Sequence, residues 1–408
     1  MPFSLIIGGL RPESGPAWYE EFKEYLKHHW REVNKRSGQP FAFDLFERAS
    51  FDYNTEPACR GLVTARNIAP KKALTFYELY NDSELVTFSF LSCCIIMSNI
   101  FHSGQLAVQR ITGEEKIAEM RIPMLKTSLH PRSLPFIEHQ VVAFPGSEDS
   151  DGNIWLSLLV GERGFITTPS LQEIQFDLSK IKSNRNDIFF KNIKNNPTVG
   201  LLFFEAARRA RYRAWGTARQ EGDQLSFDIR MGYPSCPKHI QVETIELSDQ
   251  PTTLDTKYDN GTTLGPLEKK WILGAHTFYV GTQTKKGDIE ASHRGGDPGF
   301  IEILDNGLIR VPDYLGNSMY STLGNIYENP KAALLFVDYK KGETLQLTGV
   351  ADLQFDQNDG DDFYKSGETG RFWTFQPKQW IRTIDHHKVK SEFIDFSPYN
   401  ILTKKNKV

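Results

Sequence analysis

The sequence predicts a mainly β protein with some α-structure, built as two small barrels in tandem that form an internal pseudo-dimer, preceded by a short helical region. Three observations carry this. First, a set of residues recurs at constant spacing. Asn192, Asn196-Pro197, Leu201-Leu202-Phe203 and Gly216 return as Asn325, Asn329-Pro330, Leu334-Leu335-Phe336 and Gly349, a spacing of 133 (197 to 330). Upstream, Ser157 and Gly164-Phe165-Ile166 return as Ser292 and Gly299-Phe300-Ile301, a spacing of 135 (157 to 292), so a two-residue length change belongs in a loop. Second, each copy reads as many short strands around one helix, the pattern of a Greek-key barrel. Third, 39% hydrophobic and 24% charged residues is ordinary for a globular chain and excludes overall disorder.

Taken in order, Met1–Leu10 reads as a strand entering a Gly-Gly loop, because it has no basic start that would mark a signal peptide. Pro16 and Ser14 suit a helix start, and Trp18, Phe22 and Leu26 fall on one stripe of that helix. Further helices are expected from Thr55 through Ile68, and over Lys71–Leu79. Leu85–Phe101 is apolar but broken by Ser, Thr and Asn and short of a bilayer, so it reads as a buried or poorly folded segment. The first copy then runs as a strand over Gln140–Phe144, a turn at Asp151-Gly152, and a strand over Ile154–Val160. A helix closed by Asn196-Pro197 follows, then an apolar strand over Val199–Phe204. The second repeats this with strands Thr277–Thr282, Ile289–His293 and Ala333–Val337. The expected divisions are 1–82 (helical), 83–130 (connector), 131–250 (first barrel) and 265–405 (second barrel).

Composition narrows the function. A net charge of −3 argues against a dominant nucleic-acid surface. Four cysteines without a C-x-x-C argue against a disulfide framework, a dithiol centre or a zinc knuckle, and point to a reducing, cytoplasmic setting. Dinucleotide, P-loop, serine-hydrolase and zincin motifs are absent. Asp149-Ser-Asp-Gly152 is expected to be a hairpin turn rather than a calcium loop, His386-His387 a surface turn or strand end, and Cys236 a packing residue.

The order "strand, turn, strand, Gly-Phe, strand, helix ending Asn-Pro, Leu-Leu-Phe strand, basic strand into Gly" resembles the FMN-binding split barrel of the pyridoxamine 5′-phosphate oxidase-like superfamily. The stretch from Ile289 to Phe336, together with FHSGQLAVQ (Phe101–Gln109) and YPSCPKHIQ (Tyr233–Gln241), is similar to a flavin-nucleotide-binding branch. The resemblance covers about 101–405. Separately, PFSLIIGGLRP, GQPFAFDLFER and YNTEPACRGLVTARNIAP resemble the middle of a DsbA-family thioredoxin-like protein, over about 1–82 and without that family's redox pair.

The split-barrel resemblance implies FMN as cofactor. It also implies flavin-dependent oxidoreductase activity on an unidentified small-molecule substrate or electron donor, with neither nucleic acid nor membrane as partner. The alternative is a non-enzymatic module with a degenerate site for flavin or another planar ligand. Either form would exist as a pseudo-dimeric monomer or as a homodimer. An FMN site needs cations or oriented amides for its phosphate. Ser292, His293, Arg294 and Gly295 end a strand at a Gly-rich turn, where Arg294 offers a bidentate fork; a β-bulge with an exposed arginine is the other reading. Asn317, Ser318 and Tyr320 precede the helix, where the family places its phosphate, although its Ser-Arg-Lys is Tyr320-Ser321-Thr322 here; plain helix capping is the other reading. Arg209, Arg211 and Arg213 alternate on one strand face, so Arg211 could reach a phosphate across the barrel interface, or the face is simply solvated. No residue stands out as a catalytic acid or base.

Overall fold

A computed structural model describes Glu24, residues 100–248 and residues 255–401. The expected N-terminal strand and helices, the thioredoxin-like segment and nearly all of the apolar run lie outside the described residues. Among those described, no helix is long and apolar enough to cross a membrane.

Two eight-stranded antiparallel sheets dominate. The first comprises β1 (Val142–Glu148), β2 (Ile154–Leu156), β3 (Leu159–Val160), β4 (Ile166–Ser170), β5 (Glu173–Asp177), β6 (Thr198–Glu205), β7 (Ala210–Glu221) and β8 (Gln224–Pro234). β9 (Val242–Leu247) follows. The second sheet comprises β10 (Lys257–Gly261), β11 (Thr277–Gln283), β12 (Ile289–Gly295), β13 (Glu302–Ile303), β14 (Ile309–Pro312), β15 (Lys331–Asp338), β16 (Glu343–Gln354) and β17 (Phe372–Ile384). β18 (Val389–Asp395) pairs with β9 in a small ribbon. The strand orders are β2-β1-β6-β7-β8-β5-β4 and β12-β11-β15-β16-β17-β14-β13, the same path taken twice. The helices are α1 (Ser103–Thr112), α2 (Glu115–Glu119), α3 (Leu134–Glu138), α4 (Ile188–Asn195), α5 (Pro266–Gly274), α6 (Ser321–Glu328) and α7 (Asp361–Lys365). The fold is two tandem split barrels.

The recurring residues make matching bonds. Asn192 Nδ2 donates to Ser147 Oγ at 3.0 Å, and Asn325 Nδ2 to Thr282 Oγ1 at 2.9 Å, each tying its helix to the first long strand of its sheet. Asn196 and Asn329 reach the next residue along, Glu148 at 2.7 Å and Gln283 at 3.1 Å. The carbonyls of Pro197 and Pro330 both accept an amide at 2.7 Å, from Ala218 and Ala351. Both long hairpins carry a β-bulge at the glycine, Trp215/Gly216 and Thr348/Gly349. A Cβ there would land on the carbonyl of Asp228 or of Gln376, which is why only glycine fits.

Each barrel has its own apolar core, one around Phe165, Phe176 and Phe203, the other around Phe278, Phe336 and Trp373. A third cluster joins the barrels, and at its centre Phe144 stacks on Tyr279 with ring centroids 3.8 Å apart. Gly200 lies against the backbone of Ile289 from the other barrel, where any side chain would collide. This contact is a continuous apolar seam: Phe144, Leu156, Leu202, Leu335 and Ile289 in it are all fully buried.

Three local expectations are corrected. The strand expected over Ile154–Val160 breaks at Ser157-Leu158 into β2 and β3. Arg209 lies outside β7 in a left-handed turn (φ 50°), because the chain must reverse between Glu205 and Ala210; its guanidinium bonds the carbonyls of Ile240 and Phe396. His386 and His387 are fully buried rather than at the surface, since the segment after β17 passes between the barrels and His386 Nε2 meets the Leu158 carbonyl at 2.9 Å. The Asp149 turn is a hairpin as expected: its Oδ1 accepts the Asp151 and Asn153 amides at 2.9 Å, with Gly152 at φ 76°.

Candidate functional site

A cleft of about 840 Å³, counting its open mouth, lies where the end of β12 meets β7 of the other barrel and the start of α6. Its enclosed part is about 120 Å³, so a cofactor-sized guest would extend into the open mouth. Ser292, His293, Arg294, Gly295, Asn317, Ser318, Tyr320 and Arg211 all line it. Residues up to 109 apart in sequence (211 to 320) are thus brought to one cleft by strand pairing and the barrel seam.

Its electrostatics are unusual. Arg213 is fully engaged: Nε donates to the Ala291 carbonyl at 2.9 Å, Nη1 to Tyr233 Oη at 2.6 Å, and Nη2 to Glu290 at 2.5 Å. Arg211 and Arg294 have no such carboxylate. Arg211 donates to the Cys236 carbonyl at 2.7 Å and meets His293 Nδ1 at 3.1 Å. Arg294 Nη1 donates to Ser292 Oγ and to the His293 carbonyl, both at 3.1 Å, and its buried Nε has no partner. Asp313 attracts Arg294 but is itself bonded by Arg371 at 3.1 Å. Burial, and then the repulsion of Arg294, pull the Arg211 guanidinium down to about 10. Burial likewise lowers Arg294, with Arg213 adding repulsion. Two cations facing one cavity whose single lining carboxylate, Asp313, is already paired with Arg371 are costly unless something negative joins them.

The other walls suit that guest. α6 begins at Ser321, the side chain of Tyr320 before it does not cap it, and Ser321, Thr322 and Leu323 of its uncapped first turn line the cleft. Such a terminus attracts anions. The capping reading is therefore set aside: Asn317 Oδ1 accepts the Met319 amide at 3.2 Å, and Ser318 Oγ donates to Glu114 at 2.5 Å. Ser318 (φ 61°), Tyr320 (φ 52°) and His239 (φ 60°) all hold left-handed backbone, each at a cost on the order of 1 kcal/mol. The loop is held in place from α1 and beyond it. Gln105 Nε2 donates to the Met319 carbonyl at 2.9 Å, and Glu114 bridges Ser318 to Arg371, which lies 3.2 Å away. Gly104 and Gly324 let α1 and α6 cross with backbones in contact.

The histidines are neutral at pH 7. Burial, and then Arg211, lower His293 well below its ordinary value, and the same two causes bring His239 down to about 4. His239 stacks on Tyr314 with centroids 4.6 Å apart, forming a flat aromatic wall. Sequence reasoning missed His239, Tyr233, Glu114 and Arg371. Only the YPSCPKHIQ segment pointed toward the first two, and nothing local marked the others. Cys236 lines the cleft and is half-buried, with its carbonyl rather than its thiol engaged by Arg211. Among the described residues no cluster of His, Cys, Asp or Glu could hold a metal ion.

No protein-family profile and no curated protein sequence matches the chain. Solved structures do. A pyridoxamine 5′-phosphate oxidase-related, FMN-binding protein from Nostoc punctiforme aligns at 12% identity over 33% of this chain and all of its own, with a TM-score of 0.23. A putative pyridoxamine 5′-phosphate oxidase from Lactobacillus delbrueckii aligns at 14% identity over 26% of this chain and 95% of its own, TM-score 0.22. The heme storage protein HutZ of Vibrio cholerae aligns at 13% identity over 34% of this chain and 99% of its own, TM-score 0.22.

Proposed function

We propose that the cleft binds FMN, with the phosphate between Arg211, Arg294 and the first turn of α6, and the ring system against the wall of His239 and Tyr314. The observation that carries this is the pair of arginines that share one cavity with no carboxylate bonded to either, the Asp313 that lines the same cleft being held by Arg371. Their fit to a phosphate is supported by the partnerless Arg294 Nε and the uncapped α6 amides. FMN, when bound, supplies hydride or electron transfer. The chain's part is to hold the phosphate, fix the ring and keep the cleft free of other anions.

On this reading the protein is an FMN-dependent oxidoreductase with a small-molecule substrate or electron donor, and it functions as a pseudo-dimeric monomer whose barrels, about 131–250 and 265–405, derive from one duplicated unit. One observation favours a carrier instead: His239 and His293 are held neutral, while burial raises Tyr314 and Tyr320, so these lining groups do not exchange protons near pH 7. Mass spectrometry of the ligand released from natively purified protein tests the binding claim, with FMN expected. Recovery of a different ligand overturns it. Anaerobic bleaching of the bound flavin by a nicotinamide or deazaflavin donor, followed by turnover, separates enzyme from carrier.

A further inference from the structure

The position in the first barrel that corresponds to the cleft is closed, and the way it is closed is informative. Ser157 stands where Ser292 stands in the other barrel, Asp187 where Tyr320 stands, and Gln346 where Arg213 stands. The last match is geometric: Gln346 Nε2 donates to the Leu156 carbonyl at 2.7 Å, as Arg213 does to the corresponding Ala291 carbonyl at 2.9 Å. In place of His293 and Arg294 are Leu158 and Leu159, both fully buried, and in place of Arg211 is Thr344. Asp187 is buried there. Its Oδ1 accepts the Phe189 amide in the first turn of α4 at 2.9 Å and the Ser157 hydroxyl at 2.5 Å, and Ser157 in turn accepts from Gln346 at 3.1 Å. Burial acts on it most strongly and raises its pKa, an effect that the fully buried His386 opposes. The corresponding groups at the open cleft, the Thr322 amide and Ser292 Oγ, have no carboxylate between them.

We propose that the Asp187 carboxyl is a built-in acceptor that occupies, in the first barrel, the place an anionic ligand takes at the open cleft, so that the chain carries one ligand rather than two, and that removing this carboxyl exposes a small anion site. The stoichiometry rests on the FMN reading; the built-in acceptor does not. Its test uses formate, a free carboxylate of the size removed, on full-length Asp187→Ala and on Asp187→Ser, which keeps a helix cap. Both variants are expected to melt roughly 5 °C or more below the wild type, from loss of the cap and of the buried bond. Formate at tens of millimolar should raise their melting temperatures, or be needed for refolding, while matched chloride does neither and the wild type does not respond. Formate failing to stabilise or refold either variant overturns the proposal, as does an Asp187→Ala protein that melts like the wild type. Equilibrium dialysis of the wild type with FMN is the second arm. One FMN per chain is expected, and two overturn the proposal. No FMN bound, with the formate response intact, removes the FMN reading and leaves the built-in acceptor standing.

Discussion

The two ends of the barrel seam share a backbone and differ in chemistry. At both, a serine follows the carbonyl that a long side chain from the other barrel bonds, Ser157 just past β2 and Ser292 within β12, and a helix begins beside it. At the closed end the chain supplies its own acceptor, Asp187, and carries buried leucines, Leu158 and Leu159, where the open end has His293 and Arg294. At the open end Arg211, Arg294 and the first turn of α6 face a cleft whose one lining carboxylate, Asp313, is taken by Arg371. The lesson is that main-chain bonding fixes where a site lies, while a handful of side chains decides whether it is left empty for a ligand or filled from within.

The comparison is broken most severely at the paired bulges. Gly216→Val and Gly349→Val each place a side chain on a carbonyl and should cost roughly 3 kcal/mol or more, in similar measure, because overpacking against backbone cannot relax. Chemical denaturation of both variants checks this, and a large cost in one barrel alone would mean that the two bulges are not equivalent. Next in size are the open-end cations. Arg211→Ala and Arg294→Ala should each weaken FMN binding by roughly 10- to 150-fold, the worth of one charge-assisted bond, with riboflavin binding nearly unchanged. Glu114→Ala, which touches only the loop, should weaken FMN binding less, because Ser318 and Arg371 lose their shared partner.

Acid should act on both ends. His239 (about 4) and His387 (about 3) are depressed mainly by burial, and burial lowers His293 and His276 as well. The unfolded chain takes up these protons near pH 6.5 and the folded one only well below, so their contribution is complete above about 6.5 and is lost as pH falls toward 4. Each buried imidazole should remove about 1 kcal/mol per pH unit in that window, visible as a falling melting temperature. The smallest effect is the most specific to the open end. Arg294→Met should raise the stability of ligand-free protein by up to about 1 kcal/mol, since it removes a buried cation that repels Arg211, while lowering FMN affinity. The same variant measured with saturating FMN should lose that advantage.

Much of this was legible in the sequence, for local reasons. Gly216 and Gly349, Asn196-Pro197 and Asn329-Pro330 are bulge and helix-stop residues whose chemistry acts within a few positions, so their recurrence marked the barrels. Ser292–Gly295 and Asn317–Tyr320 were legible as a strand end and a helix approach, and they do line one cleft. What was not legible depends on distant partners. The pairing of Arg213 with Glu290 and the bridge from Glu114 to Arg371 join residues far apart in the chain, and no spacing announces them. His386-His387 looks like a polar pair until the segment is seen passing between barrels. Arg209 fitted an alternating strand pattern that the left-handed turn interrupts.

The central claim is that the open cleft is built around a phosphate. Calorimetric titration of the wild-type protein with FMN and with riboflavin, side by side at one ionic strength, tests it directly. The account predicts that FMN binds at least roughly 10-fold more tightly than riboflavin, a margin that shrinks as salt rises. Equal affinity for the two, or a preference for riboflavin, would contradict it.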